Sequence, residues 1–176
     1  MKILTDRKTL WYIIAGYVAA IYLTLGLIGR LSLWLRNNGW QTGITTAMLF
    51  VAFVVSLYVI VVILGRRSVM NIITLAAAGC VYTYIVFAFQ SSPSNRIHII
   101  EYSLLAALLY YAIKIDVNSR SAYVLAWIIT VVIGFGDEMI QYYLPTRAYD
   151  LNDIMVNSIA AAVALLVISL VVESGE

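Results

Sequence analysis

Carboxylates gathered around a single histidine, in a chain that is otherwise apolar, are the residues here with the means to do chemistry. Glu101, Asp137, Glu138, Asp150 and Asp153 stand with His98, Arg96, Gln141, Arg147 and Asn157 in the second half of the 176 residues. His98, Glu101 and Tyr102 are spaced i, i+3 and i+4, which in a helix places them on one face. Gln141 follows Asp137 by four residues and Glu138 by three, so its amide shares a helix face with at least one carboxylate. The two carboxylates themselves point about 100° apart. Asp150, Asp153 and Asn157 fall at i, i+3 and i+7. A carboxylate or imidazole tuned by burial serves as a general acid or base, and a guanidinium holds phosphate or carboxylate through paired hydrogen bonds. Candidate acid–base residues are therefore Glu138, His98 and Asp153, and candidate binding residues are Arg147, Gln141, Asn157, Glu101, Asp137 and Tyr102. A serine mechanism is disfavoured, because the chain has no nucleophile-elbow motif. A metal-dependent variant has His98, Glu101 and carboxylates from two later helices holding one divalent ion, open among zinc, manganese, magnesium and calcium. No cofactor is assigned beyond that variant.

Plainer roles compete for the same residues. Asp150 reads best as a helix cap, and an interhelical ion pair of Arg147 with Glu138 or Asp153 is the plainer alternative to a functional site. Tyr102, Tyr142, Tyr143 and Tyr149 fit an aromatic belt at headgroup depth. Asp6, Asp116, Glu173 and Glu176 flank apolar runs, where water or headgroups solvate them.

The elements that must position these groups follow from composition. Hydrophobic residues make up 63% of the chain and charged ones 11%, with a mean hydropathy of +0.94. A soluble domain has roughly 45–50% apolar and 25% charged residues, so a water-soluble globular fold is excluded. Nearly uncharged runs occur at Leu10 to Gly29, Ile44 to Leu64, Val69 to Gln90, Ile97 to Ile115, Ser121 to Leu144 and Leu151 to Val172. A bilayer-crossing helix needs about 20 apolar residues and a transmembrane strand about 9–11 of alternating polarity. These runs predict an all-α polytopic membrane bundle of about six transmembrane helices, organised as a single integral membrane domain over residues 1–176. The first run follows Lys2, Arg7 and Lys8 as a signal peptide would, but lacks a small-x-small cleavage site and is expected to be retained. Leu31 to Thr42, with Trp34, Arg36 and Trp40, suits an interfacial segment or a plain loop.

With the N-terminus inside, the cytoplasmic side holds Lys2, Arg7, Lys8, Arg66, Arg67, Lys114 and Arg120, and the outer side Arg30, Arg36, Arg96 and Arg147. The positive-inside bias then expects both termini in the cytoplasm and the polar cluster at the outer face. The net charge of +2 comes from scattered residues, so nucleic-acid binding has no support. Cys80, the single cysteine, permits no intramolecular disulfide.

Two stretches carry a family resemblance. One is Asn95-Arg96-Ile97-His98-Ile99-Ile100-Glu101-Tyr102; the other joins Asp137-Glu138, Gln141, Leu144-Pro145-Thr146-Arg147, Asp150, Asp153 and Asn157. Together they resemble the VanZ-like family, named for teicoplanin resistance, over roughly Pro93 to Ala164. The preceding residues 1–92 are three spans in which no motif matches. By this resemblance the positions carried over are His98, Glu101, Tyr102, Asp137, Glu138, Gln141, Arg147, Asp153 and Asn157. Ser94 and Asn95 depart from the frequent Asp-Lys before the histidine, and Ala160 from a frequent glycine.

The resemblance implies association with low-level resistance to lipoglycopeptides, without naming a reaction. The expectation is an outward-facing polar site that binds or modifies an amphiphilic envelope molecule: a phospholipid, a lipid-linked wall precursor or a lipoglycopeptide. The alternative is a non-enzymatic protein, either a scaffold whose polar cluster is an interhelical ion-pair network or a small transporter. Membrane lipids are the expected surroundings, and no oligomeric state is specified.

Overall fold

The computed structural model describes residues 7–88, 96–145 and 149–174. Within them the chain forms α1 (Arg7–Asn37), α2 (Gln41–Tyr58), α3 (Val69–Ala88), α4 (Arg96–Ile113), α5 (Ser119–Tyr142) and α6 (Leu151–Val167). Single π-helical turns, Val59–Ile63 and Ile168–Val172, prolong α2 and α6. All six helices are long and apolar enough to cross a membrane, and no strand occurs among the described residues. The all-α expectation is borne out.

One segment departs from the sequence reading. Leu31 to Asn37 continue α1 and are neither a loop nor a separate interfacial segment. Nothing before Gly39 breaks a helix; there the backbone turns through φ of +74°, which glycine adopts without steric penalty, and α2 begins two residues later. Trp34 and Trp40 meet edge to face across this corner, with ring centroids 6.0 Å apart.

Helix α4 is the centre of the bundle. It packs on α6 and α5, with α1 laid against α4 and α5, α2 against α4, and α3 against α6. Half of its most apolar stretch is buried by other helices, whereas none of that of α2 is. The reason is side-chain size: Ala106 and Ala112 of α4, Ala122 and Ala126 of α5, and Ala160 and Ala161 of α6 are all fully buried. Without a hydrophobic force between helices in lipid, such small residues supply stability by letting backbones approach closely. Leu105, Leu109, Leu165, Ile168 and, from α1, Leu10 and Ile14 fill the remaining space. Phe50, Val51, Val54 and Val55 of α2 and Phe87 of α3 stay exposed, as lipid-facing residues would.

Polar contacts between helices set the directions of the chain. Arg96, at the start of α4, donates to the Thr42 carbonyl near the start of α2, and Glu138, near the end of α5, meets the backbone just before α6. These groups share one end of the bundle. At the other end Arg7 pairs with Asp116 at 3.2 Å, and Lys114 pairs with Glu173. The sequence reading left Glu173 solvated at the edge of a span, and this is corrected. Glu173 lies just past α6 but folds back, where it accepts hydrogen bonds from Lys114, Tyr110 and Tyr123. Tyr110 and Tyr123 are stacked 4.2 Å apart, which fixes both hydroxyls toward the same carboxylate.

Burial pushes the Glu173 carboxyl up, but the hydrogen bonds from Lys114, Tyr110 and Tyr123 outweigh it and hold its pKa below the ordinary value. A carboxyl depressed on folding contributes stability above its unfolded pKa of about 4.3 and loses it as pH falls through the lower folded value. Unfolding in detergent between about pH 6 and 3 should therefore show a smaller acid-induced loss of stability for Glu173→Gln than for the unaltered chain. Identical losses would refute this role.

Candidate functional site

The site is built where α4 begins, α5 ends and α6 begins. On α4 the expected face forms: His98 and Tyr102, one turn apart, are both buried, and Glu101 lies beside them, partly accessible. His98 Nδ1 lies 3.2 Å from Glu101 Oε2 and 3.7 Å from Asp137 Oδ2, which comes from α5. Tyr102 donates its hydroxyl to the same Asp137 oxygen at 2.8 Å. Asp137 is thus a meeting point for two side chains of α4.

Its neighbour Glu138 makes its hydrogen bonds to other partners. Glu138 Oε1 accepts from Gln141 Nε2 at 3.0 Å, one of the two pairings the helical spacing allows. Its Oε2 accepts from the Asp150 backbone N–H at 3.1 Å and so ties α5 to the start of α6. Asp150 caps α6, its side chain accepting from the Asn152 N–H at 2.9 Å, and the capping role is observed. Asp153 occupies the first turn of α6, where the helix dipole favours an acid, and is buried. Asp137 and Glu138 are completely buried. At 1.5 Å of rise per residue, all these groups lie within about 10 Å of their helix ends.

Not every polar atom is partnered. Both nitrogens of His98, Asp137 Oδ1 and both amide atoms of Asn157 are buried without an aligned hydrogen bond among the described residues. Nδ1 of His98 is within ion-pair distance of two carboxylates, yet its direction is poor for a hydrogen bond. Buried polar groups normally find partners, and an orphan costs about 1–3 kcal/mol. Ligand atoms of His98, Glu138 and Asp153, one from each of three helices, lie within 4.8 Å of one another.

The VanZ/LLP1 family model matches residues 6–172, nearly the entire chain. The chain belongs to the VanZ/LLP1 family. No curated protein and no solved structure matches it. The family match takes in α1 to α3, where the sequence offered no recognisable motif, and the packing gives α1 a part in the site. From α1, Tyr17 donates to the Glu101 carbonyl at 3.2 Å and Tyr22 to the Ile133 carbonyl at 2.8 Å.

Of the positions carried over from the VanZ-like resemblance, His98, Glu101, Tyr102, Asp137, Glu138, Gln141, Asp153 and Asn157 converge. Arg147 lies outside the described residues, as do Ser94 and Asn95. Tyr142 and Tyr143 are exposed, as belt residues should be, but Tyr102 is not one of them: it is fully buried and bonded to Asp137. Tyr17 and Tyr22 were not legible as site residues, since their partners are 84 and 111 residues away in sequence. Gly134 stands one turn before the Asp137-Glu138 pair. A Cβ there would sit 3.2 Å from Tyr102 Cε1 and 3.3 Å from Asn157 Nδ2, so glycine is what lets α5 close on both.

Gly134→Val should therefore destabilise the bundle by about 1–3 kcal/mol through overpacking. Gly16→Ala, with nothing within 4 Å of the added Cβ, should change stability by no more than about 1 kcal/mol. Thermal unfolding in detergent compares the two, and equal effects would contradict the close approach at Gly134.

Proposed function

We propose that this polar site faces the extracytoplasmic side and binds or modifies an amphiphilic cell-envelope molecule, such as a phospholipid, a lipid-linked wall precursor or a lipoglycopeptide. The observation that carries the reading is that, among the described residues, the buried side chains of His98 and Asn157 have no aligned hydrogen bond although they lie amid buried carboxylates. A bundle selected for stability alone gains nothing from orphaned polar groups, whereas a binding site needs groups whose partner arrives with the ligand. The depth of the cluster suits a molecule whose polar head lies at the interface and whose chains remain in the bilayer. In this reading Glu138, His98 and Asp153 handle protons, and Tyr102, Glu101, Asp137, Gln141 and Asn157 shape the pocket. Arg147 receives a phosphate or carboxylate. Lipoglycopeptide resistance, which the resemblance to the VanZ-like family suggests, is the phenotype to assay.

A second reading is favoured by one contact. Glu138 accepts both from Gln141 and from the Asp150 N–H, as a group that clamps α5 to α6 would. Breaking a buried ion-pair network costs about 3–5 kcal/mol, so the scaffold reading expects substitutions throughout the cluster to unfold the bundle.

Asn157→Leu separates the two readings. Removing a buried amide that has no aligned partner among the described residues, with the heavy-atom branching kept, should leave stability level or raise it by about 1–2 kcal/mol. The same variant should lose most binding to vesicles containing envelope lipids, or most resistance in cells. A clear loss of stability with function intact per folded molecule would decide for the scaffold.

Orientation is tested separately. Tyr143 is exposed at the site end of the bundle, so Tyr143→Cys in a Cys80→Ser background should react with a membrane-impermeant maleimide added outside intact cells. Labelling only after the inner face is opened would reverse the orientation.

A further inference from the structure

We propose that His98, Glu138 and Asp153 together bind one divalent transition-metal ion, with zinc and manganese the fitting ions. The inference rests on the reading of this cluster as a binding site and deepens it, by naming what makes an acidic pocket receptive to an anionic headgroup.

The first argument is geometric. The three ligand atoms lie within 4.8 Å of one another, each on a different helix and all buried. Ligands bound to one zinc at about 2.0–2.2 Å stand about 3.3–3.6 Å apart, so the site closes with side-chain adjustments of about 1 Å. Helix-borne carboxylates and imidazoles pointing into a bundle are a recurrent way to hold such ions.

The second argument is the histidine. Nε2 of His98 is buried with no hydrogen-bond partner among the described residues. Its other nitrogen, Nδ1, lies 3.2 Å from Glu101 and 3.7 Å from Asp137. An imidazole that ligates a metal typically directs its remaining N–H at a carboxylate, which fixes the tautomer and strengthens the ligand. Asp137 is itself oriented by the Tyr102 hydroxyl, and Glu138 by Gln141 and the Asp150 N–H. A carboxylate has about four acceptor positions, so Glu138 retains lone pairs for an ion after accepting both bonds. Glu138 is thus held by two donors, and carboxylates stand within ion-pair distance of Nδ1 of His98.

The third argument is charge. Asp137 and Glu138, both fully buried, stand near one imidazole in a low-dielectric setting, and among the described residues neither is paired with a lysine or arginine, so their charge needs compensation. A divalent cation supplies it. With three protein ligands the ion keeps an open position, which a headgroup phosphate or carboxylate oxygen can take. An imidazole with two carboxylates suits zinc or manganese better than calcium, which prefers six to eight oxygens.

The chain has a single histidine, so histidine-selective 15N labelling reports on His98 alone. The full chain, made without a polyhistidine tag and stripped with chelator in detergent, should bind about one zinc or manganese ion by elemental analysis. Zinc should also shift the single Nε2 resonance of the unaltered protein, a readout that needs no variant. Glu138→Gln and Asp153→Asn should abolish stoichiometric binding. Glu101→Gln, which changes only a supporting partner, should weaken it by about 10- to 100-fold. No bound ion and no Nε2 shift in the folded, unaltered chain would overturn the proposal, as would binding undiminished in both ligand variants. Lipid binding by the same stripped protein is scored independently. If it persists and is lost in Asn157→Leu while no metal binds, the metal proposal fails and the binding-site reading stands. If metal binds and no envelope amphiphile does, the metal site stands and that reading fails.

Discussion

A carboxylate inside a membrane bundle persists only if something other than bulk water solvates it, and Asp137, Glu138 and Asp153 are held almost wholly away from solvent between α4, α5 and α6. The rest of the architecture follows from meeting that requirement at one end of the bundle. Alanines on the three helices bring the backbones close, and Gly134 leaves room for Tyr102 and Asn157 against α5. Tyr102 then reaches Asp137, and the start of α6 reaches Glu138. Close packing and buried charge depend on each other here: without the small residues the donors would stand too far from the acids.

The two ends of the bundle handle acidic groups differently. At the Glu173 end the carboxylate meets a lysine and two tyrosine hydroxyls, and such a group needs no ligand to explain it. At the His98 end, carboxylates outnumber the histidine among the described residues, and an imidazole and an amide are left without aligned partners. Both clusters are polar groups in an apolar molecule, but of the two only the second leaves buried side-chain atoms without an aligned hydrogen bond among the described residues. Satisfaction of hydrogen bonds, more than the presence of charge, distinguishes a folding clamp from a place where something binds.

Helices α1 to α3 give the site its surroundings. Tyr17 and Tyr22 fasten α1 to backbone carbonyls of α4 and α5, and Tyr82 of α3 reaches the Ala160 carbonyl of α6 at 3.2 Å. Tyrosine suits this task because its ring is at home in lipid while its hydroxyl seeks a carbonyl. Helix α2 stays largely uncovered by the rest of the chain, as a lipid-facing helix can in an apolar solvent.

Much of this was legible in the sequence. Six apolar runs predict six helices because a bilayer leaves the backbone no other way to satisfy its hydrogen bonds with such uniform hydrophobicity. Helical spacing predicted the shared face of His98, Glu101 and Tyr102, a contact of Gln141 with at least one of the two carboxylates and the Asp150 cap, all of which depend on residues about a turn apart. Groups further apart were not legible. That Asp137 turns to α4 while Glu138 turns to α6, that Tyr102 is interior, that Glu173 folds back onto Lys114, and that α1 joins the site all depend on how helices rotate about their axes and where they cross. In a chain apolar around nearly every helix, hydrophobic periodicity barely sets that rotation. The positions of a few alanines, glycines and hydrogen-bonding tyrosines do, and their effect exists only once the helices are packed.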